Sequence, residues 1–498
     1  MPHTMNWMTS FAGPSWRGEH RFLRIICLAL LLPNLCFLTV AYLARSLPVQ
    51  PIRESISLAL DRGDILTQTK DFVFLDSARG VEPYGDSSIM RMALYRGDSK
   101  WRDTIAPRSL KAADDVVRHP AEELSGAVFG TLQFDPNSGY IHRYWFGNMA
   151  VTSFLLFVFD VRQARLVLMN SSYLLFLLMA LAAARVSKRV LTMTGFLAAF
   201  GILFSSLPYH GQTFGYAPAF IWSQMTAVAV LLFWRRLPRL GFLIPFTMVL
   251  GGVAAYLEPM SGAFCIGSSW VFLLTYLSVA ETMTCRTAFQ LAALATAGFL
   301  VGFLASVLFK QALVMVVFGW DQTIPVFLAE LRWRMSSTGP SGESLTVLKS
   351  LKQVIDSTPY LTFGSSGLAK LLDYGSAFAF ASGLTGAVAD LLRSRARGQE
   401  WGERLFQYLA VLAPMGIIMA WFALLPNHNF IHAWITVRLL FIPLGMAWLL
   451  LYWAVQNLFF RETTPAVVAA GLTTAGRPAT LTPDALVAGD AARTRHGT

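Results

Sequence analysis

AFQLAALATAGFLVGFLASVLF, residues 288–309, runs from just after Arg286 to just before Lys310 without one charged side chain. At 1.5 Å of rise per helical residue, a run of this length reaches across a hydrocarbon core of about 30 Å. Lipid offers no partner to a free backbone N–H or C=O, and a helix pairs its own, so the stretch predicts a membrane-spanning helix. The rest of the chain repeats the pattern. Of 498 residues 55% are hydrophobic and 14% charged, with a mean hydropathy of +0.50; a soluble domain of that length carries roughly a quarter of its residues charged. Aromatic residues make up 13%, including 14 Trp and 37 Phe, which suits helices anchored at bilayer interfaces.

Ten segments have the length and apolarity of spans: 22–45, 166–184, 190–207, 215–234, 240–257, 261–280, 288–309, 374–391, 405–424 and 437–460. The net charge of +11 is carried in short clusters between them, Arg185/Lys188/Arg189, Arg235/Arg236/Arg239, Arg286, Arg393/Arg395/Arg397/Arg404 and Arg461. Every second connection is basic. That placement orients a membrane chain with both termini cytoplasmic and argues against a nucleic-acid groove. Arg17, Arg21 and Arg24 precede the first apolar run. It is longer than the roughly 7–15 residues of a signal-peptide core and lacks a small-x-small cleavage site, so an uncleaved anchor is expected. The four cysteines lie in or beside apolar segments and outline no disulfide framework.

The expected fold class is therefore an all-α polytopic membrane protein of about ten transmembrane helices, with two long outer-face loops that carry short amphipathic helices. Residues 1–21 form a cytoplasmic amino terminus, 22–460 the transmembrane unit, and 461–498, rich in Ala, Thr, Gly and Pro, a disordered cytoplasmic tail. The outer loops are 46–165 and 310–373, and loops of this length are usually functional. At the end of the first, the apolar stretch Tyr144 to Phe159 is short for a span and is expected to be interfacial or re-entrant.

The residues that could do chemistry fall on the outer side. DFVFLDSARGVEPYGDSSIMRMALY, residues 71–95, holds Asp71, Asp76, Glu82 and Asp86. Asp86 precedes a helix-like run, where a carboxylate caps free N–H groups; Asp76 follows the β-like run FVFL and is free to act as a general base. YIHRYWFGN, residues 140–148, sets Arg143 beside Tyr144 and Trp145, either an interfacial belt with a snorkelling arginine or a phosphate grip with rings that stack on a sugar or prenyl chain. Arg162 and Arg165 add charge at the same depth. In NHNFIHAWITVR, residues 427–438, His428 and His432 are four apart, with Arg438 beyond them. A zinc site needs a third protein ligand that the sequence does not supply, so hydrogen bonding to a phosphate or plain interfacial packing is expected there. Glu258, Lys310 and His210 stand at the outer mouths of spans, where ionisable groups are costly and default to functional roles.

The acidic first outer loop, RYWFG (143–147), YLEP (256–259), the Gly-rich span ending VLFK (307–310) and NHNFIHAWITVR together resemble a group of bacterial polytopic membrane proteins. The layout is similar to GT-C glycosyltransferases. That resemblance, over most of residues 20–460, implies transfer of a sugar from a polyprenyl-phosphate donor to a glycan or lipid acceptor at the outer face. It implies a first-loop carboxylate as base and basic residues on the lipid phosphate. Phe146 stands where the pattern carries His, so any role of that imidazole is absent. Asp76 or Asp86 would then be catalytic. Glu82, Arg143, Tyr144, Trp145, Glu258, Lys310, His428, His432 and Arg438 would bind substrate, with no metal and no separate cofactor. The partners are the lipid-linked donor, the acceptor and membrane lipid, without nucleic acid, in a bacterial inner membrane. Two rivals remain: a transporter or flippase of a lipid-linked saccharide, which would place polar residues deep in the spans and on both faces, and a polysaccharide polymerase or ligase.

Overall fold

The computed structural model of the chain describes residues 16–65, 83–97, 99–108, 112–113, 118, 120–134, 146–204, 207, 211–257, 262–321, 323–338, 342, 344–362, 366–397 and 401–460. Among these residues every regular element is a helix and no strand occurs. In chain order they are α1 (Trp16–Ser46), α2 (Val49–Asp61), α3 (Pro83–Leu94), α4 (Lys100–Ile105), α5 (Pro120–Phe129), α6 (Gly147–Val158), α7 (Val161–Ala184), α8 (Lys188–Phe204), α9 (Ala217–Leu232) and α10 (Leu240–Leu257). They continue as α11 (Ala263–Val279), α12 (Cys285–Phe318), α13 (Ile324–Met335), α14 (Val347–Asp356), α15 (Ser366–Ala396), α16 (Trp401–Leu424), α17 (Pro426–Ile431), α18 (Ala433–Thr436) and α19 (Phe441–Val455).

Among the described residues seven stretches are long and apolar enough to cross a membrane: His20–Ser46 within α1, α7, α10, α12, α15, α16 and Val437–Phe460 around α19. The segments read from sequence at 190–207, 215–234 and 261–280 fall on α8, α9 and α11, of 17, 16 and 17 residues. At 1.5 Å per residue these reach about 25 Å, short of a full hydrocarbon core. The stretch before Asp160 forms the 12-residue α6, too short to span. Asp160 then starts α7 with a reciprocal capping box, its carboxylate accepting from the Gln163 N–H while the Gln163 side chain accepts from the Asp160 N–H.

Small residues set the tightest packing. A Cβ at Gly251 of α10 would collide with the Phe299 carbonyl of α12, and one at Gly302 would collide with the Met248 carbonyl of α10. Gly298 and Gly302 are four apart, the spacing that lets two membrane helices bring their backbones together. At the centre, α11 is buried on nearly all sides, with Trp270 and Tyr276 sealed inside. A helix apolar all round with no lipid-facing side is a core helix of the bundle.

A second core lies among the outer helices. Ile52 and Ile56 of α2, Ile89, Met90 and Ala93 of α3, Leu124 of α5 and Met149 of α6 pack with Phe214 and Ala217. This small outer core holds α3 against α7 and the 211–216 turn and thereby places Asp86. The second outer loop carries α13 and the amphipathic α14, whose Ser350 and Val354 are buried while Lys349 and Lys352 face out.

Candidate functional site

Asp86 sits in the first turn of α3, but its carboxylate does not cap that helix. It is fully buried, accepts from Arg165 Nη2 at 2.7 Å, and accepts from the Phe214 N–H at 2.7 Å. Arg165, on α7, also donates to the Asp64 carbonyl at 2.8 Å and lies 5.9 Å from the Phe214 ring centre. The capping expectation is thus corrected: a carboxylate sealed in an apolar outer core needs a cation, and Arg165 supplies one. Full burial is the largest influence on the Asp86 carboxyl and pushes its pKa up, against the pull of Arg165 and of the Phe214 and Gly215 N–H groups. Asn148 of α6 donates to the Gly215 carbonyl at 2.9 Å, so the turn is held from both sides.

The same turn meets the histidine segment. Tyr216 lies under the guanidinium of Arg438, 5.0 Å from ring centre to Cζ, and Arg438 is fully buried. Asp86 and Arg438, distant in sequence, therefore abut one six-residue turn. Beyond Arg438, α17 brings up the two imidazoles. Their ring centroids are 4.8 Å apart, and the backbone bond from the His432 N–H to the His428 carbonyl is 3.0 Å, although α17 ends at Ile431.

Across from them stands α13. Arg334 contacts His428 Nδ1 and donates to Glu330 at 2.7 Å, one helical turn away. Asn427 donates to the Trp333 carbonyl at 2.8 Å, and Ser350 of α14 donates to the Pro426 carbonyl at 2.9 Å. Trp421, at the outer end of α16, lies edge-on to His428 at 6.0 Å and to Phe264 at 5.0 Å. Burial is the main cause that lowers the His432 pKa to about 4, with Arg334 adding to it and Glu330 opposing it. The imidazole is neutral at physiological pH, ready to give or accept a hydrogen bond.

This cluster retains unused capacity. Arg334 Nε, Trp421 Nε1, Asn427 Oδ1 and Asn429 Oδ1 are buried without a hydrogen-bond partner. Buried polar groups are nearly always paired, and each of these is a donor or acceptor available to a ligand. Among the described residues no set of three or more His, Cys, Asp or Glu could hold a metal, so the imidazoles lack a third ligand there.

Lys310, in α12, is buried with 1% exposure. Asp76, Glu82, Arg143, Tyr144, Trp145 and Glu258, with Asp71 and His210, lie outside the described residues. Sequence reasoning missed Arg334, Glu330, Trp421, Asn427 and Tyr216. Only the basic-aromatic run Arg332-Trp333-Arg334 in the second outer loop signalled the first of them.

A second polar network joins the facing ends of α15, α16 and the segment after α19. Arg404 pairs with Asp390, Tyr408 donates to Asp390 at 3.0 Å, and Asn457 donates to the Tyr408 hydroxyl at 3.0 Å. Beside them a cavity of about 310 Å³ is lined by Arg189, Gln407, Tyr452, Trp453 and Asn457. Mid-helix, Gln224 of α9 is buried with neither end of its amide paired.

Long apolar helices, small-residue packing and a buried polar cluster define an integral membrane protein. No protein family, curated protein or solved structure matches the chain.

Proposed function

We propose that the chain is a membrane glycosyltransferase of ten spans that moves a sugar from a polyprenyl-phosphate donor to a cell-envelope acceptor at the periplasmic face of a bacterial inner membrane, with both termini cytoplasmic. The alternation of basic connections supports that orientation. The observation that carries the chemistry is the outer cluster of Arg334, His428, His432 and Trp421, with its unpartnered buried donors. A departing lipid phosphate develops negative charge, and fixed donors in a water-poor site stabilise it most strongly. Arg334, Arg438 and Lys310 carry that role together with Arg143. His428 and neutral His432 hydrogen-bond the phosphate or sugar.

Both oxygens of Asp86 already meet donors. We therefore assign it the positioning of Arg165 and the 211–216 turn, and give Asp76 the proton of the acceptor hydroxyl. Glu82, Tyr144, Trp145 and Glu258 complete the substrate contacts. The test is glycan transfer in membranes that carry Asp76→Asn, Asp86→Asn and Arg334→Gln singly. Loss of transfer in Asp76→Asn and Arg334→Gln is expected; full activity in both overturns the assignment.

One observation favours a second reading, a flippase or transporter of a lipid-linked saccharide: the polar network of Asp390, Arg404, Tyr408 and Asn457 lies toward the inner ends of the helices. A deletion strain separates the two. Accumulation of unmodified acceptor with donor reaching the outer leaflet fits the transferase, and donor trapped on the inner leaflet fits the flippase.

A further inference from the structure

At the outer end of α1 a second polar cavity, of about 260 Å³, is lined by Arg45, Leu47, Val49, Arg96, Gly97, Lys100 and Asp103. Three cations face one carboxylate. Asp103 accepts from the Gly97 N–H at 2.6 Å through Oδ2, while its Oδ1 has no hydrogen-bond partner. Arg45 is only 3% exposed; it donates to the Met92 and Tyr95 carbonyls at 2.7 and 2.9 Å and to the Asp103 carbonyl at 3.3 Å, and its Nη2 has no partner. Arg96 donates to the Ala93, Tyr95 and Ala44 carbonyls while its Nε is buried without a partner. Holding two guanidinium groups and an ammonium around one cavity costs mutual repulsion, which a bound anion relieves. A phosphate matches such guanidinium forks.

What lies below the cavity identifies where that phosphate comes from. Leu28, Leu32 and Leu35 of α1, each at least half exposed, form one helical stripe that the exposed Tyr42, two turns beyond Leu35, extends toward the cavity, while Arg45 turns off that face into the bundle. Tyr42, in the last turns of the same helix, carries the Lys100 ammonium 4.5 Å above its ring centre, an aromatic at headgroup depth. An anion from bulk water would need no apolar track leading away from its site, whereas a lipid needs one for its chains.

We propose that this cavity binds the phosphate headgroup of an anionic bilayer phospholipid, with the acyl chains lying along the leucine stripe of α1. The site is separate from the Arg334–His428 cluster and holds whether or not the chain transfers sugar. It predicts that the full chain, purified and returned to nanodiscs, retains phosphatidylglycerol over phosphatidylcholine in native mass spectrometry. Lys100→Gln and Arg96→Gln should each weaken that retention roughly fivefold, the effect of one basic group at a membrane surface. Lys352→Gln, an exposed lysine on α14, should leave it unchanged. Arg45 also holds the end of α3, so its replacement risks the fold; the exposed Lys100 supplies the safe variant, with thermal unfolding as the control for folding. Equal retention of the two lipids, or retention indifferent to Lys100→Gln, overturns the proposal. So does protection by inorganic phosphate alone that phosphatidylglycerol does not displace, since that result would describe a site for a free anion.

Discussion

Two clusters of charge meet at the 211–216 turn, and they are built on opposite plans. Around Asp86 both carboxylate oxygens meet donors and Arg165, with only its Nε unpartnered, ties α7 to α3 and the Asp64 carbonyl. Around His428 one guanidinium is divided between a glutamate and an imidazole, and four buried polar atoms of the cluster have no partner. A satisfied buried pair specifies geometry; an unsatisfied one stores binding capacity. The first cluster is built as scaffold and the second is the one we propose as the ligand site, and Tyr216 with Arg438 couples them through the 211–216 turn.

The sharpest way to break this comparison is Arg165→Met. Removal of one partner leaves the Asp86 carboxylate sealed without its cation, and breaking a buried pair costs about 3–5 kcal/mol. Thermal unfolding of the full chain in detergent should show that loss, and Asp86→Leu added to Arg165→Met should recover part of it, because no uncompensated charge remains. An Arg165→Met protein as stable as the parent would mean that the pair holds nothing in place.

Arg334→Gln tests the opposite plan. It should leave the melting temperature within a few degrees while transfer falls on the order of a hundredfold, the usual cost of one lost charge-stabilising donor. Equal loss of stability and activity would make Arg334 another scaffold residue.

What the chain reveals before folding follows the same division. Residues 288–309 and the alternating basic connections are read directly, because lipid imposes one apolar length and one charge rule on every span. The Asp86–Arg165 pair was half legible: both residues stood out as charges in the first outer loop, but their meeting depends on a small core of Ile52, Ile89 and Met149 that no local pattern announces. Arg334 and His428 were less legible still, since their 94-residue separation is closed by the packing of α13 and α14 against α17. The lengths of α8, α9 and α11 were less legible, because apolarity shows where a helix lies and not where its ends fall.

His432 sharpens the comparison through pH. Its folded pKa is lowered to about 4, below the unfolded value of roughly 6.5, so between those limits the unfolded chain binds more protons. Stability is then fully present above about pH 6.5 and falls as pH drops toward 4, with a ceiling of about 3 kcal/mol that a partly accessible ring brings nearer to 2. Unfolding measured from pH 7.5 to 4 should carry that slope, and His432→Gln should flatten it. An unchanged slope would place the titration on another group.

The smallest effect concerns how the second outer loop holds the ligand cluster in place. Ser350 is buried on the inner side of α14 and donates to the carbonyl of Pro426, the first residue of α17. Ser350→Ala removes this buried hydrogen bond, worth about 1 kcal/mol. If α14 only covers the site, that loss appears in stability alone. If it sets the angle of α17, the His428 and His432 rings shift with it, and activity falls several-fold more than the stability change explains. A change in KM with kcat untouched would then place the bond on ligand docking, and parallel loss of both would tie α14 to the geometry of the reacting groups.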